Sequence, residues 1–324
     1  MSHKIVFLDY EGIGPAVKIN RPAFPHVWEN YEYTDPDQVV ERLKDATIAM
    51  TCSLPLRQNQ LEQLPHLKMI SMALTGTDIV DMEYCKKHGI HVANVPGYAE
   101  NTVAEHTMSM IFALLRGTGN YHQLMRDISN GKAKLQNLYL NYRVRDVRGL
   151  KLGIIGNGPI AHRLEEIASG VGMDVFFYDR NGKYTGANYE SLDELLKSSD
   201  VLAICCPLTT ETYNLIDATA LSKMKSDAIL VNTGRGGIVN ESALITALLE
   251  ERLGGAALDV VEHEPVQLDN PLFQLIDLPN FMLTPHVAWS SENAMQSLID
   301  QAIHNIDEFV NKENQLKNGD NNEN

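Results

Sequence analysis

The chain has 324 residues, of which 44% are hydrophobic and 21% are charged, a composition typical of globular proteins and a length sufficient for two domains. The net charge of -15 argues against a nucleic-acid or anionic-membrane partner, because both favour a basic surface. It does not exclude an anionic substrate, since one local arginine can outweigh the overall charge.

Membrane and secretory roles also find no support in the sequence. The first residues lack the apolar stretch of a signal peptide, and the most apolar helix candidate, residues 102–116, is too short to cross a bilayer. The four cysteines (Cys52, Cys85, Cys205 and Cys206) have neither disulfide-framework nor metal-ligand spacing. We therefore expect a cytoplasmic protein with reduced thiols, no membrane partner and no metal site.

The first hundred residues alternate between apolar strand-like runs and short helices. Strands are predicted over 5–8, 48–51, 69–73 and 91–95, with helices over 36–44 and over 82–88, the latter ending at Gly89. This alternation is typical of a small parallel sheet covered on both faces. A long helix that starts near Asn101 is expected to leave this unit and enter the next.

The alternation is clearer in the second half. Strands are predicted over 151–155, 173–178, 228–231, 255–261 and 281–284, with helices over 159–169, 192–197, 219–224 and 242–251, the last capped by Asn240. A final helix over about 291–310 is expected to fold back on the first unit. The polar tail 312–324 is predicted to be disordered.

The turn after the strand 151–155 matches a dinucleotide-binding fingerprint. Gly156, Asn157, Gly158, Pro159, Ile160 and Ala161 supply a tight turn, a close approach to pyrophosphate and a helix that begins with proline. Asp179 follows Gly156 by 23 residues, near the spacing expected of an acid that binds the adenosine ribose and disfavours NADP. Arg180 either meets a phosphate or lies over the adenine.

Polar residues that could transfer a proton or bind a carboxylate stand at other strand ends. Arg235 follows one strand, the next strand carries Asp259 near its end and leads to Glu264, and His286 follows the last. Taken singly, each is more often a solvated charge or a structural histidine. Their shared position favours one site, because ligands bind beyond the carboxyl ends of parallel strands. His106 and Glu105, which lie in a helical pattern, are interpreted as structural.

Motifs along nearly the whole chain resemble the D-isomer-specific 2-hydroxyacid dehydrogenase family, and within it the glycerate dehydrogenase/hydroxypyruvate reductase members. They include Thr75-Gly76-Thr77-Asp78, Asn94-Val95-Pro96-Gly97, Val103-Ala104-Glu105-His106, Cys206-Pro207-Leu208-Thr209, Asn232-Thr233-Gly234-Arg235-Gly236, Ala257-Leu258-Asp259-Val260 with Glu264-Pro265, and Thr284-Pro285-His286. So many motifs in one order identify the chain as a member.

The resemblance implies a role for each residue of the site. Arg235 binds the substrate carboxylate and polarises its carbonyl, His286 is the acid–base group, and Glu264 stabilises the imidazolium. Backbone amides of Thr75 and Gly76 also hold the carboxylate, while Asp259 lies near the nicotinamide carboxamide. The residues implied to contact NAD are Thr75, Gly156, Asn157, Gly158, Pro159, Ile160, Asp179, Arg180, Cys206, Pro207, Thr212, Thr233, Gly234, Arg235, Asp259, His286 and Ala288.

Two positions depart from many relatives. Pro159 stands where an arginine is common, so one pyrophosphate contact is absent. Trp289 stands where many relatives have a glycine, and a tryptophan there resembles glycerate dehydrogenase/hydroxypyruvate reductase members. It either narrows the pocket around a small substrate or packs between domains.

The implied fold is α/β, with two doubly wound parallel-sheet domains. A Rossmann NAD-binding domain, 101–287, is inserted into a smaller flavodoxin-like substrate domain made of 1–100 and 288–324. Hinges are expected near 97–102 and near Trp289. Apolar residues on several faces of the helix near 101–120 suggest a homodimer, as in the family.

The implied activity is hydride transfer between NAD(H) and a small D-2-hydroxy acid or 2-oxo acid, acting on the CH–OH group of the donor. Reduction of hydroxypyruvate or glyoxylate is favoured, with D-lactate or another D-2-hydroxy acid as the alternative. A corepressor that senses NAD(H), like C-terminal binding protein, and a formate dehydrogenase remain as other classes. The residue set Arg235, Glu264 and His286 favours the dehydrogenase.

Overall fold

The computed structural model describes residues 3–134, 142–178, 186 and 188–320. The chain divides into two compact units. Unit 1 consists of Met1–Ala99 and Ser290–Asn324, and unit 2 is Glu100–Trp289. Over the described residues, no helix combines the length and apolarity that a membrane crossing requires.

In its described part, unit 1 has a five-stranded parallel sheet in the order β2-β1-β3-β4-β5. This is the flavodoxin-like order. Its strands are β1 (His3–Phe7), β2 (His26–Asn30), β3 (Ile48–Thr51), β4 (Met69–Met72) and β5 (His91–Ala93). Its helices are α1 (Val39–Leu43), α2 (Gln58–Leu61), α3 (Met82–His88) and, from the C-terminal end, α10 (Glu292–Asp320).

The described residues of unit 2 form a seven-stranded parallel sheet in the order β12-β11-β10-β9-β6-β7-β8. The strands are β6 (Lys151–Ile155), β7 (Asp174–Tyr178), β8 (Tyr189–Glu190), β9 (Val201–Ile204), β10 (Ile229–Asn232), β11 (Gly255–Leu258) and β12 (Phe281–Leu283). The helices are α4 (Glu100–Arg116), α5 (Thr118–Ser129), α6 (Pro159–Gly170), α7 (Leu192–Ser198), α8 (Ala218–Lys223) and α9 (Glu241–Leu249). The two parallel sheets with their helices confirm the predicted α/β fold.

The central strands are buried on both faces, which explains why their sequences are continuously apolar. All four residues of β9, β10 and β11 are buried, as are those of β3 and β4. Capping also follows the sequence: the Asn240 side chain accepts from the Ala243 amide at the start of α9.

The C-terminal segment corrects one prediction. The final helix packs on the sheet of unit 1 as expected, where the Ser71 hydroxyl donates to the Ala302 carbonyl at 2.8 Å. However, α10 continues to Asp320, so disorder is the wrong prediction for 312–320. The ion pair between Lys68 and Glu313 joins this part of α10 to unit 1. The Glu, Gln, Lys and Leu residues of this segment also have high helix propensity.

Candidate functional site

The loops that follow the central strands of unit 2 touch one another in the order of the sheet. Gly156, after β6, adopts φ +129°, and a Cβ there would lie 2.6 Å from the Cys205 carbonyl oxygen in the loop after β9. A Cβ on Gly234, after β10, would lie 2.9 Å from the Cys206 carbonyl oxygen. Glycine at Gly156 thus provides both the left-handed turn and the contact between neighbouring loops.

The contact between the β6 and β9 loops lies at the topological switch point of the sheet. The chain runs from β6 outward to β7 and β8, then crosses back to β9 on the other side. Loops that diverge in this way leave a crevice where doubly wound sheets bind dinucleotides. In this structure the crevice carries the glycine fingerprint.

The fingerprint residues fit a pyrophosphate. Gly158 directly precedes α6, and no atom lies within 4 Å of a Cβ built on it, so the backbone is open to a ligand. Pro159 is the first helical residue, where its missing N–H costs nothing, and Ile160 follows half-buried. The first amides of a helix have no partners within the helix and favour an anion. The Asn157 side chain accepts from the Tyr189 hydroxyl at 3.2 Å.

The loop after β9 contains the two adjacent cysteines. All four cysteines are free. Burial raises the pKa of Cys205 to about 12 and that of Cys206 to about 11, so both are protonated and poorly nucleophilic at neutral pH. Further along, the buried Thr212 hydroxyl donates to the carbonyl of the exposed Pro207 at 2.9 Å. These contacts give the loop a fixed conformation but no reactive thiol.

The loop after β10 presents Arg235. The buried Asn232 carboxamide accepts from the Gly234 amide and donates to the Arg235 carbonyl, so it braces the turn at both ends. The Arg235 side chain is exposed, and its Nη1 donates to the Gly234 carbonyl at 2.9 Å. In the same loop, the hydroxyl of the buried Thr233 lies 2.7 Å from the hydroxyl of Thr107 on α4.

His286 and Glu264 form a direct pair. His286 Nδ1 lies 2.7 Å from Glu264 Oε2, with 40% and 34% of the two side chains exposed. Burial acts to raise the pKa of Glu264, but the hydrogen bond and charge of His286, the Val261 amide and the charge of Arg235 outweigh it and hold that pKa below its ordinary value. Glu264 is therefore an anion at neutral pH, with its negative charge beside the imidazole.

Asp259 holds the backbone around His286. Its carboxylate, fully buried, accepts from the Val287 and Ala288 amides, both at 2.9 Å, and from the Thr284 hydroxyl at 2.5 Å. The Asp259 carbonyl accepts from the His286 amide at 2.7 Å. His286 itself adopts φ +54°, a conformation uncommon for residues other than glycine. The bonds to Asp259 therefore fix a turn that the sequence would not favour on its own.

Trp289 contributes to the same turn. Its indole Nε1 donates to the His286 carbonyl at 3.0 Å, and the side chain is half-buried. Of the two interpretations given to Trp289 from sequence, neither included this hydrogen bond. The bond gives Trp289 a third role, in which it braces the loop that carries the imidazole.

Two residues of the predicted site belong to unit 1, and two others are not among the described residues. Thr75 and Gly76 follow β4 in unit 1, where the Thr75 hydroxyl donates to the Val95 carbonyl at 3.1 Å and the Thr75 carbonyl accepts from the Asn94 side chain. Asp179 and Arg180, predicted to select NAD, lie outside the described residues.

Comparison with known proteins identifies the family. Residues 108–288 match the NAD binding domain of the D-isomer specific 2-hydroxyacid dehydrogenases. The chain belongs to this family. The match covers the glycine fingerprint and the residues Arg235, Glu264 and His286. The protein is accordingly an NAD-dependent oxidoreductase of the D-2-hydroxyacid dehydrogenase family.

Individual members of the family align over almost the whole chain. A glycerate dehydrogenase of Methylorubrum extorquens is 43% identical over 96% of this chain and 97% of its own. A putative 2-hydroxyacid dehydrogenase of Haemophilus influenzae is 42% identical over 95% of this chain and 98% of its own. The crystal structure of a putative D-isomer specific 2-hydroxyacid dehydrogenase from Polaromonas sp. JS6 66 superimposes with a TM-score of 0.85, at 25% identity, over 97% of this chain and 98% of the other.

Helical periodicity alone does not connect α4 with this dehydrogenase site, yet two α4 side chains reach it. Thr107 contacts Thr233, and His106, interpreted as structural, lies beside Thr284 and Asp259. The helical pattern puts His106 and Thr107 on neighbouring faces of α4, but only the tertiary fold brings those faces to the loops after β10 and β12.

Proposed function

We propose that this dehydrogenase interconverts small 2-oxo acids and D-2-hydroxy acids, with hydroxypyruvate and glyoxylate as substrates on the oxidised side and D-glycerate as one reduced product. The observation that carries the proposal is the His286–Glu264 pair at 2.7 Å, set beyond the carboxyl ends of β11 and β12 with Arg235 beyond β10. The glycerate dehydrogenase at 43% identity supports the choice of substrate.

In the direction of reduction, bound NADH supplies the hydride that reaches C2 of the 2-oxo acid. Nδ1 of His286 is held by Glu264, so Nε2 is the nitrogen left to donate a proton to the C2 oxygen. The anionic Glu264 lies against the ring, where its charge offsets the positive charge that the imidazole carries before that transfer. One hydride and one proton together convert the ketone to the alcohol.

Arg235 has the geometry for an anionic substrate. Its guanidinium is exposed, its turn is braced by Asn232, and no carboxylate of a described residue lies within ion-pair distance of it. A planar, permanently charged fork suits a carboxylate and an adjacent carbonyl oxygen. We assign Arg235 to binding the carboxylate and to offsetting negative charge on the reacting oxygen.

The cofactor roles remain part of the proposal. Asp179 is proposed to bind the adenosine ribose and to favour NAD over NADP, and Asp259 to lie near the nicotinamide. The carboxylate contacts assigned to Thr75 and Gly76, in unit 1, rest on the sequence motif alone. We also propose a cytoplasmic location, which the four free cysteines support.

A homodimer is proposed on different grounds from those the sequence suggested. Most apolar residues of α4 are buried within unit 2 itself, so they need no partner subunit. The exposed Phe112 on α4 and the helix α5, which has no buried residue, are the better candidates for an interface. On α5, Leu124, Met125 and Ile128 share one face.

The activity is tested by following NADH consumption with hydroxypyruvate, glyoxylate and pyruvate side by side. We expect the highest kcat/KM with hydroxypyruvate or glyoxylate. A preference for pyruvate would indicate a D-lactate dehydrogenase instead. Activity with formate and NAD, and with no 2-oxo acid, would indicate a formate dehydrogenase. NADH binding with no turnover on any 2-oxo acid would favour a binding module.

A second experiment replaces the acid–base group and compares it with a control histidine outside the site. His286→Ala should lower kcat by roughly 10²- to 10⁴-fold while NADH binding, followed by fluorescence, is retained. His304→Ala, at an exposed histidine of α10 that pairs with Glu308, should leave kcat unchanged. Near-normal turnover in His286→Ala would remove His286 from the mechanism.

A further inference from the structure

The helix α4 brings a second histidine to the loop that carries His286. His106 Nε2 lies 3.8 Å from Asp259 Oδ1 and 3.5 Å from Thr284 Oγ1. The His106 side chain is 23% exposed, whereas that of Asp259 is fully buried. Within the described part of the chain, His106 is the one basic side chain at ion-pair distance from this carboxylate.

The directions of the hydrogen bonds define a chain of contacts. Thr284 Oγ1 lies 2.5 Å from Asp259 Oδ1, and a carboxylate oxygen accepts, so the hydroxyl proton points to Asp259. A hydroxyl has a single proton, so Thr284 can only accept from His106. The proton of the His106 ring is therefore assigned to Nε2, which donates to Thr284.

The chain of contacts ends at the backbone of His286. Asp259 accepts from the amides of Val287 and Ala288, the two residues that follow His286, and its own carbonyl accepts from the His286 amide. His286 is held at φ +54°, which few side chains adopt without support. A change in the orientation of the Asp259 carboxylate would therefore alter where the His286 imidazole stands.

We propose that His106 is a positioning residue for His286, acting through Thr284 and Asp259. This inference rests on the proposed function, in which His286 transfers the proton. His106 does not touch the reacting atoms in this scheme. The hydrogen bond from His106 orients the Thr284 hydroxyl, and that hydroxyl donates to Asp259. Asp259 is thereby held in the orientation in which it accepts from the Val287 and Ala288 amides.

Two variants separate the hydrogen bond from the volume of the side chain. His106→Leu keeps much of the volume and removes the donor, whereas His106→Gln restores an N–H donor near the position of Nε2. Ser109→Ala is the matched control, because its hydroxyl, on the exposed side of the same helix, only bonds back to the His106 carbonyl.

We expect His106→Leu to lower kcat about tenfold with little change in the KM for NADH, as the loss of one hydrogen bond would. His106→Gln should recover kcat to within about twofold of the original protein, and Ser109→Ala should match it. A fall in kcat that His106→Gln does not rescue would overturn the proposal, as would unchanged kcat in His106→Leu.

Hydrogen exchange gives a readout that does not depend on activity. In His106→Leu the Val287 and Ala288 amides should exchange about tenfold faster, while the amides of α4 exchange at their original rate. Faster exchange throughout α4 would instead indicate a general packing role and would overturn the proposal. If no 2-oxo acid is reduced, the proposed function fails, but this exchange comparison still decides whether His106 positions the loop.

Discussion

His286 is held by contacts at one ring nitrogen and at both polar groups of its backbone. Glu264 fixes Nδ1, the Asp259 carbonyl fixes the amide, and the Trp289 indole fixes the carbonyl. Each contact comes from a residue that follows a strand end, so the position of the ring depends on sheet geometry rather than on one flexible side chain. A group held in this way can transfer a proton without first reorganising.

Removal of the Glu264 charge should move the pH dependence of catalysis. The pKa of Glu264 is lowered, so its carboxylate persists as pH falls below the usual carboxyl range, and its negative charge favours a positive charge on the ring beside it. Reduction consumes a proton and therefore weakens as pH rises. In Glu264→Gln the decline should begin at lower pH, and kcat should fall roughly 10- to 100-fold.

The measurement is the kcat–pH profile of both directions. Oxidation, which needs the neutral imidazole, should conversely reach its plateau at lower pH in Glu264→Gln. Glu250→Gln, which alters an exposed carboxylate paired with Arg252, serves as the control and should keep the original profile. An unmoved profile, or one displaced to higher pH, would contradict the charge pairing of Glu264 with His286.

At the scale of elements, the loop with Arg235 and the loop with Glu264 are packed backbone against backbone. A Cβ on Gly236 would lie 1.8 Å from the Val261 carbonyl oxygen and 2.2 Å from its carbonyl carbon. Backbone atoms cannot rotate aside as a side chain can. The relative position of these two loops therefore depends on the absence of a side chain at residue 236.

Gly236→Ala should push these loops apart. We expect a loss of about 1–3 kcal/mol in the free energy of unfolding, as for other overpacked sites, together with a fall in kcat. Gly170→Ala is the control, because no atom lies within 4 Å of a Cβ at that position on α6. Denaturation and steady-state kinetics measure both effects. Equal stability of the two variants would show that the loops can shift without cost.

The elements that the sequence predicted well are those with a strong burial pattern. The central strands β3, β4, β6, β10 and β11 are mainly apolar runs, and the ends of β6, β10 and β11 lead to Gly156, Arg235, Asp259 and Glu264. The strand β2 was missed because it is an edge strand with no fully buried residue. The helix α5 was missed for a similar reason, since none of its residues is buried.

Contacts between elements that are distant in the chain could not be predicted from the sequence. His286 and Glu264 could be paired from their family motifs, but His106 comes from a helix about 180 residues before Thr284. Helical periodicity indicates which residues share a face, not which loop that face meets. The hydrogen bonds from the Val287 and Ala288 amides to Asp259 could not be predicted either, because they also join separate loops.

At the scale of the whole molecule, the exposed face of α5 bears on oligomeric state. Met125 is 52% exposed, and Leu124 and Ile128 lie on the same face. Met125→Glu should convert a dimer to a monomer, because a charge in an apolar interface loses its hydration. Gln123→Glu, which adds the same charge on the opposite face, should leave the dimer intact. Light scattering after gel filtration distinguishes the outcomes, and a monomeric original protein would rule out the proposed interface.

The division of unit 1 between the two ends of the chain determines the order in which its core can be completed. The strand β4 is covered by α10, through Ser71 against Ala302 and Lys68 against Glu313. More than two hundred residues separate these partners along the chain. During synthesis every described strand of unit 2 is made before α10. Unit 2 therefore has its described strands while unit 1 still exposes one face of its sheet, and α10, made later, is the helix that covers β4.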